Sequence, residues 1–205
     1  MEEWLSIVIR QLVLYSLPVL VSLTLVTLLE ARFGKTEVPH PFYAICWRGT
    51  WVPLLAGLFF HRGVIVALPN YLQFGVKNAG IRFLTHLILF GAGLLLFSWS
   101  LSHMPPAGLP PLHHWWAKVL MYFNLCMIGL HLLPLPQLLV GELIAVYLNQ
   151  RAPHSTLNLT FHWLKQSTYG PWVITFIAAT SLLDRGLGQL VFPVYEKLAT
   201  LAAQL

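Results

Sequence analysis

Charge is scarce in this chain. Only 9% of its 205 residues are Asp, Glu, Lys or Arg, while 57% are hydrophobic; soluble domains carry roughly 25% charged residues. So few charges cannot cover an aqueous surface, so the composition reads as an integral membrane protein rather than a soluble enzyme. The seven acidic residues leave little for hydrolytic chemistry, and no paired carboxylates, Ser/His/Asp order or glycine-rich phosphate loop can be assembled. The two cysteines, Cys46 and Cys126, are far apart and form no CxxC. That spacing suits small buried hydrophobes better than a disulfide or a zinc knuckle, and leaves the redox compartment undecided. Basic residues form no run, so the formal charge of +5 reads as membrane topology and not as a nucleic-acid footprint. Met1-Glu-Glu-Trp4 is acidic where a signal peptide is basic, and residues 12–29 lack a small-residue cleavage site. The first apolar run is therefore expected to stay attached as a membrane helix.

What the chain has is long apolar runs. Residues 5–29 form a first segment with Pro18 inside it, where a backbone hydrogen bond is lost. Residues 42–60 are apolar but interrupted by Arg48, Gly49 and Pro53, and read as a re-entrant or broken segment. Residues 63–80 carry turn chemistry at Pro69, Asn70, Lys77 and Asn78 and read as a loop at the interface. Residues 81–101 are a clear span, followed by a proline-rich, uncharged external loop ending in the anchor pair Trp115-Trp116. A fourth segment runs from residue 117 to a break at Pro134 and Pro136, with residues 138–148 continuing as a shorter helix. Residues 151–166 are polar, and the last span starts near Tyr169 and carries Asp184 and Arg185. The expected fold is one all-α domain over residues 1–205, a polytopic transmembrane helical bundle of about five membrane segments. With the N-terminus outside, Arg32, Lys35, Arg48, Arg62, Lys77, Arg82, Arg151 and Lys165 all fall on the cytoplasmic side.

Non-helical backbone within a membrane is tolerated only where protein or a water-filled cavity satisfies it, so the Pro134/Pro136 break marks a site. The stretch His131-Leu-Leu-Pro-Leu-Pro-Gln-Leu-Leu139-Val140-Gly141 resembles the Asn-Leu-Leu-Pro-x-Pro-x-Leu-Asp-Gly of site-2 proteases, the intramembrane metalloproteases. Arg32-Phe-Gly34, Gly49-Thr-Trp-Val-Pro53, Gly91-Ala-Gly93 and Tyr169-Gly170 resemble further pieces of that family in the same order, across nearly the whole chain. The resemblance implies a zinc site of two His and a catalytic Glu from HExxH, with the Asp of the later motif as third ligand. No HExxH occurs here. With Arg32-Phe-Gly34 fixing the register, Ser22, Leu23 and Val26 stand at the His, Glu and His positions, and Leu139 stands at the Asp. Hydrocarbon offers zinc no lone pair, so the resemblance implies a degenerate site with no catalytic residue and no metal.

The remaining polar residues each carry a plain and a sharper reading. His86 and His131 lie on separate spans, where ionisable groups are costly. The plain reading, satisfied neutral imidazoles in the bundle, is preferred to ligation of a haem, a pigment or a metal. Glu142, just past the break, reads first as half of a structural ion pair and second as a proton-handling group. Glu30 reads as capping the charged end of the first segment beside Arg32. His61, His103, His113 and His114 read as exposed loop or interface residues, and Gly91-Ala-Gly93 and Gly129 as helix-packing positions. The sequon at Asn158 falls on the cytoplasmic side and is discounted.

The leading expectation is an inactive site-2-protease-like protein of the bacterial cytoplasmic (inner) membrane, embedded in the lipid bilayer and serving as a binding or structural subunit. Its groove, at His131, Pro134, Pro136, Glu142 and His86, would hold other membrane proteins or their transmembrane helices, with no cofactor and no nucleic acid. The alternative is a small haem-, pigment- or quinone-associated subunit of an electron-transfer or photosynthetic complex. An active protease with unusual ligands is the third reading.

Overall fold

The computed structural model describes residues 2–34, 37–60, 63–69, 75–105, 109–166, 170–180, 182–202 and 204. Lys35, His61, Arg62, Asn70 and Tyr169 lie outside the described residues. The described residues are helical or irregular, with no strand. Helix α1 spans Glu2–Gly34 and continues through Pro18. A 3₁₀ turn at Pro41–Ala44 and a π turn at Trp47–Trp51 lead into the short α2, Val52–Phe59, so residues 42–60 are broken, as expected. Then come α3 (Val76–Ser102), α4 (Leu112–His131), α5 (Leu139–Arg151) and α6 (Thr156–Gln166). The expected last span divides into α7 (Gly170–Ala179), α8 (Leu182–Gly186) and α9 (Gly188–Ala202), with Gly186 and Gly188 flanking the break between α8 and α9.

Helices α1, α3 and α4 pack against one another, most extensively at the α3–α4 pair. That pair can close because Gly93 has no side chain: a Cβ there would lie 2.6 Å from the Met121 backbone nitrogen. Gly91, two residues earlier, faces open space and performs no such packing. Gly129 packs internally, against Leu187 of α8–α9. Among the described residues two helices, α1 and α3, are long and apolar enough to cross a membrane. At 1.5 Å per residue, the 27 residues of α3 reach about 40 Å, beyond the roughly 30 Å of a hydrocarbon core. Helix α4 has 20 residues but carries His113, His114, Lys118, Asn124 and His131. Helices α5, α7 and α9 have 13, 10 and 15 residues, each short of the roughly 20 that a helical span needs.

Residues 63–80 depart from the expected interfacial loop. Val64, Ile65, Val66, Ala67 and Leu68 run as irregular backbone through the hydrophobic core, none more than 6% exposed. Irregular backbone away from water needs partners for its amides and carbonyls. Leu68 N–H donates to Gly49 O, Thr50 Oγ1 donates to Leu68 O, and Asp184 Oδ1 accepts from Val64 N–H at 2.9 Å. Thus Asp184 serves a backbone amide from another part of the chain, while Arg185 is exposed. Lys77 and Asn78, read as turn residues, form the first turn of α3, which starts at Val76 after a glycine with φ 113°.

Gly141 gives the fold its sharpest steric requirement, since a Cβ there would lie 1.8 Å from Leu135 O across the break. Gly80 meets nothing within 4 Å. We therefore expect Gly141→Ala to destabilise the detergent-solubilised protein by at least about 3 kcal/mol, the upper end of overpacking costs. Gly80→Ala on α3 should be neutral or stabilising by up to about 1 kcal/mol. Urea unfolding of the two variants beside the parent measures both.

Candidate functional site

The break between α4 and α5 is held from three sides. Helix α4 stops at His131, three residues before Pro134, because proline removes a donor and crowds the preceding turn. The chain turns back through Gln137, whose φ of 71° is the left-handed conformation that side chains seldom adopt. Two turn bonds, Leu135 N–H to Leu133 O and Leu138 N–H to Leu135 O, satisfy part of this backbone. Three side chains add to this. Arg82 of α3 donates to Gln137 O at 2.5 Å, Glu142 Oε1 accepts from Gln137 N–H at 3.3 Å, and His131 Nδ1 accepts from Leu139 N–H at 3.4 Å.

Each of these groups is anchored further. Arg82 pairs with Glu30 of α1 at 2.5 Å, the two side chains being 2% and 4% exposed. Glu142 Oε2 accepts from Lys165 of α6 at 2.7 Å and from Gly75 N–H, just ahead of α3, at 3.0 Å. The structural ion pair expected of Glu142 is thus present, with Lys165. Glu30, read as capping the end of the first segment, pairs with Arg82 across the bundle, and Arg82, the second residue of the expected span, is 1% exposed in the core. Helix α3 starts at Val76 and carries Arg82 inside as its seventh residue.

A second buried array joins α1, α3 and α4. Asn124 Nδ2 donates to Ser22 Oγ at 2.9 Å and to Leu120 O at 2.8 Å, so Asn124 Oδ1 faces His86 Nδ1 at 2.7 Å. A carbonyl can only accept, which fixes the amide orientation and makes His86 Nδ1 the protonated nitrogen of a neutral imidazole. Ser22 in turn donates to Pro18 O at 2.8 Å. The His86 and His131 rings lie 5.8 Å apart between centroids, and neither Nε2 has a hydrogen-bond partner among the described residues. Because His131 Nδ1 accepts from Leu139, its Nε2 carries the proton when the ring is neutral, whereas His86 Nε2 carries the lone pair.

The candidate residues therefore fall into one buried region, but as a closed one. His86, His131 and Glu142 are each no more than 2% exposed and turn onto protein partners, Pro136 is buried, and Pro134 is exposed. Leu139, Leu23 and Val26 bring hydrocarbon, and Ser22 Oγ is committed to Pro18 and Asn124. A three-ligand zinc site at the positions that the resemblance assigns does not fit these residues. No group of three or more His, Cys, Asp or Glu that could hold a metal occurs among the described residues.

Sequence reasoning missed Asn124, the hub of the array, although a lone amide in the apolar run of α4 was its signal. It also misplaced His114, which is buried against Ser100 Oγ at 2.9 Å, whereas His103 and His113 are exposed. Asn158 of the discounted sequon is buried, with its amide donating to Pro153 O. Comparison with protein-family models, curated proteins and solved structures returns no match.

The Arg82–Glu30 contact makes a clear energetic prediction. Arg82→Met strands a buried carboxylate and the Gln137 carbonyl, and should cost about 3–5 kcal/mol in urea unfolding. Removing both charges in Arg82→Met/Glu30→Met should recover at least about 1 kcal/mol of that loss, because no uncompensated charge remains. Additive losses from the two single changes would contradict the pairing.

Proposed function

We propose that this chain is a membrane-embedded, site-2-protease-like scaffold that works by binding, as a structural or binding subunit of a larger membrane assembly, and does not cut. The observation that carries the reading is the state of the positions that the resemblance assigns to zinc: Leu23, Val26 and Leu139 offer no donor, and Ser22 is consumed by Pro18 and Asn124. A break of the kind that exposes a substrate in such a protease is here tied shut by Arg82, Glu142 and His131. Membrane placement draws support from the outward faces of α1 and α3, where Ile9, Val13, Leu84, Ile88 and Leu95 are exposed, and from polar groups gathered inward. A soluble protein of this size places such groups the other way round.

In this reading about five segments engage the bilayer: α1, the broken stretch around α2, α3, α4 with α5, and the α7–α9 region. The N-terminus lies outside and the basic loops in the cytoplasm, in a bacterial inner membrane. A second reading, a cofactor-bearing subunit, is favoured by one observation, the adjacent His86 and His131 rings with both Nε2 atoms free of protein hydrogen bonds.

Purification of the full chain from its native membrane in mild detergent separates these readings. We expect no stoichiometric zinc, no Soret or pigment band, and at least one other membrane protein retained, identified by mass spectrometry. Stoichiometric zinc with chelator-sensitive cleavage of a membrane-helix substrate would overturn the binding reading. A Soret band lost in His86→Ala or His131→Ala would establish the second.

A further inference from the structure

Beside the Ser22–Asn124 array lies a cleft of about 310 Å³ between α1, α3 and α4. Its deep end is formed by Pro18 and Leu120, the two residues whose carbonyls accept from Ser22 and Asn124. Its other end is formed by Trp99, His113 and Trp116, close to where α3 ends and α4 begins. Apart from His113 and the two tryptophans the lining is hydrocarbon, with Ala117 at the middle. From His113 to Leu120 the cleft follows α4 for seven residues, about 10 Å at the helical rise.

We propose that this cleft holds one acyl chain of a bilayer lipid, with its ester end among Trp99, His113 and Trp116 and its methylenes running in toward Pro18 and Leu120. The inference rests on the membrane reading above. A cleft of about 310 Å³ along roughly 10 Å of helix takes a single hydrocarbon chain within its walls, whereas a partner helix would seat only a side-chain ridge in it.

Two further observations point the same way. The mouth lies between α1 and α3, and Leu17 and Leu96 on its rim are exposed, so it opens sideways to hydrocarbon. Trp and His at one end and pure hydrocarbon at the other match the polarity of a lipid from its ester inward.

The test uses the full chain reconstituted in phosphatidylcholine vesicles that carry a photoactivatable diazirine on one acyl chain, with labelled residues mapped by mass spectrometry. Ala117 is 6% exposed and lines the cleft, whereas Ile88 is 60% exposed elsewhere on α3. We expect both to label, and Ala117→Phe, which fills the cleft, to lower labelling at Pro18 and Leu120 at least fivefold while Ile88 labels as before. Leu120→Trp, which narrows the deep end from the rim of α4, should have the same effect and covers the case in which Ala117→Phe does not fold. Labelling of Ile88 with none at Pro18, Ala117 or Leu120 would overturn the lipid proposal, as would cleft labelling appearing only after a co-purified membrane protein is stripped away. If Ile88 also failed to label, the membrane reading itself would fall.

Discussion

The structure depends most on one buried cation. Arg82 sits in the core with its guanidinium between the Glu30 carboxylate and the Gln137 carbonyl. Removing a guanidinium and a carboxylate from water costs several kcal/mol each, and only close, well-bonded geometry offsets that cost. Here the same geometry does a second task. It supplies a donor to a carbonyl that the proline break has stripped of its helical partner, so α1, α3 and the α4–α5 turn are set in register by one side chain. Glu142 performs the reciprocal task on Gln137 N–H while joining Lys165 and Gly75. Together the two side chains let a non-glycine residue remain at φ 71°, a conformation that survives only where its surroundings over-determine it.

Next to this clamp, the array of Ser22, Asn124 and His86 shows how a polar core can be complete without a ligand. Each donor that the array commits meets an acceptor, ending at the Pro18 carbonyl. The two free imidazole nitrogens are complementary, one protonated and one bearing a lone pair, and lie between the array and the break. The positions that the resemblance assigns to zinc are filled by hydrocarbon or by this array, and the proposal of binding without cutting rests on that chemistry.

Much of the architecture was legible in composition and punctuation. Apolar runs gave α1 and α3, and Pro134 and Pro136 gave the end of α4, because proline cannot sit in a helix interior without losing a hydrogen bond. Gly93 was legible as a packing residue, but only the structure separates it from Gly91. Residues 63–68 were not legible: a buried irregular strip and an interfacial loop share a short apolar pattern, and the partners that settle it, Gly49, Thr50 and Asp184, are remote in sequence. The same limit hid the site. His86, His131 and Glu142 stand out as polar residues in apolar runs, yet the pairing of Glu30 with Arg82 across 52 positions has no local signal. Arg82 reads in the sequence as the start of an apolar span, and no local signal shows that α3 begins five residues earlier and carries it inside.

The central claim is that the proline break is closed and satisfied by protein. Hydrogen–deuterium exchange of the reconstituted full chain reads this directly at the amides of Gln137 and Leu139, which donate to Glu142 and His131. A closed break predicts that these amides remain protected for as long as those of residues 126–131 within α4, since all then open only with the core. Exchange of Gln137 and Leu139 within seconds, while α4 stays protected, would reveal a water-filled groove at the break and contradict the account.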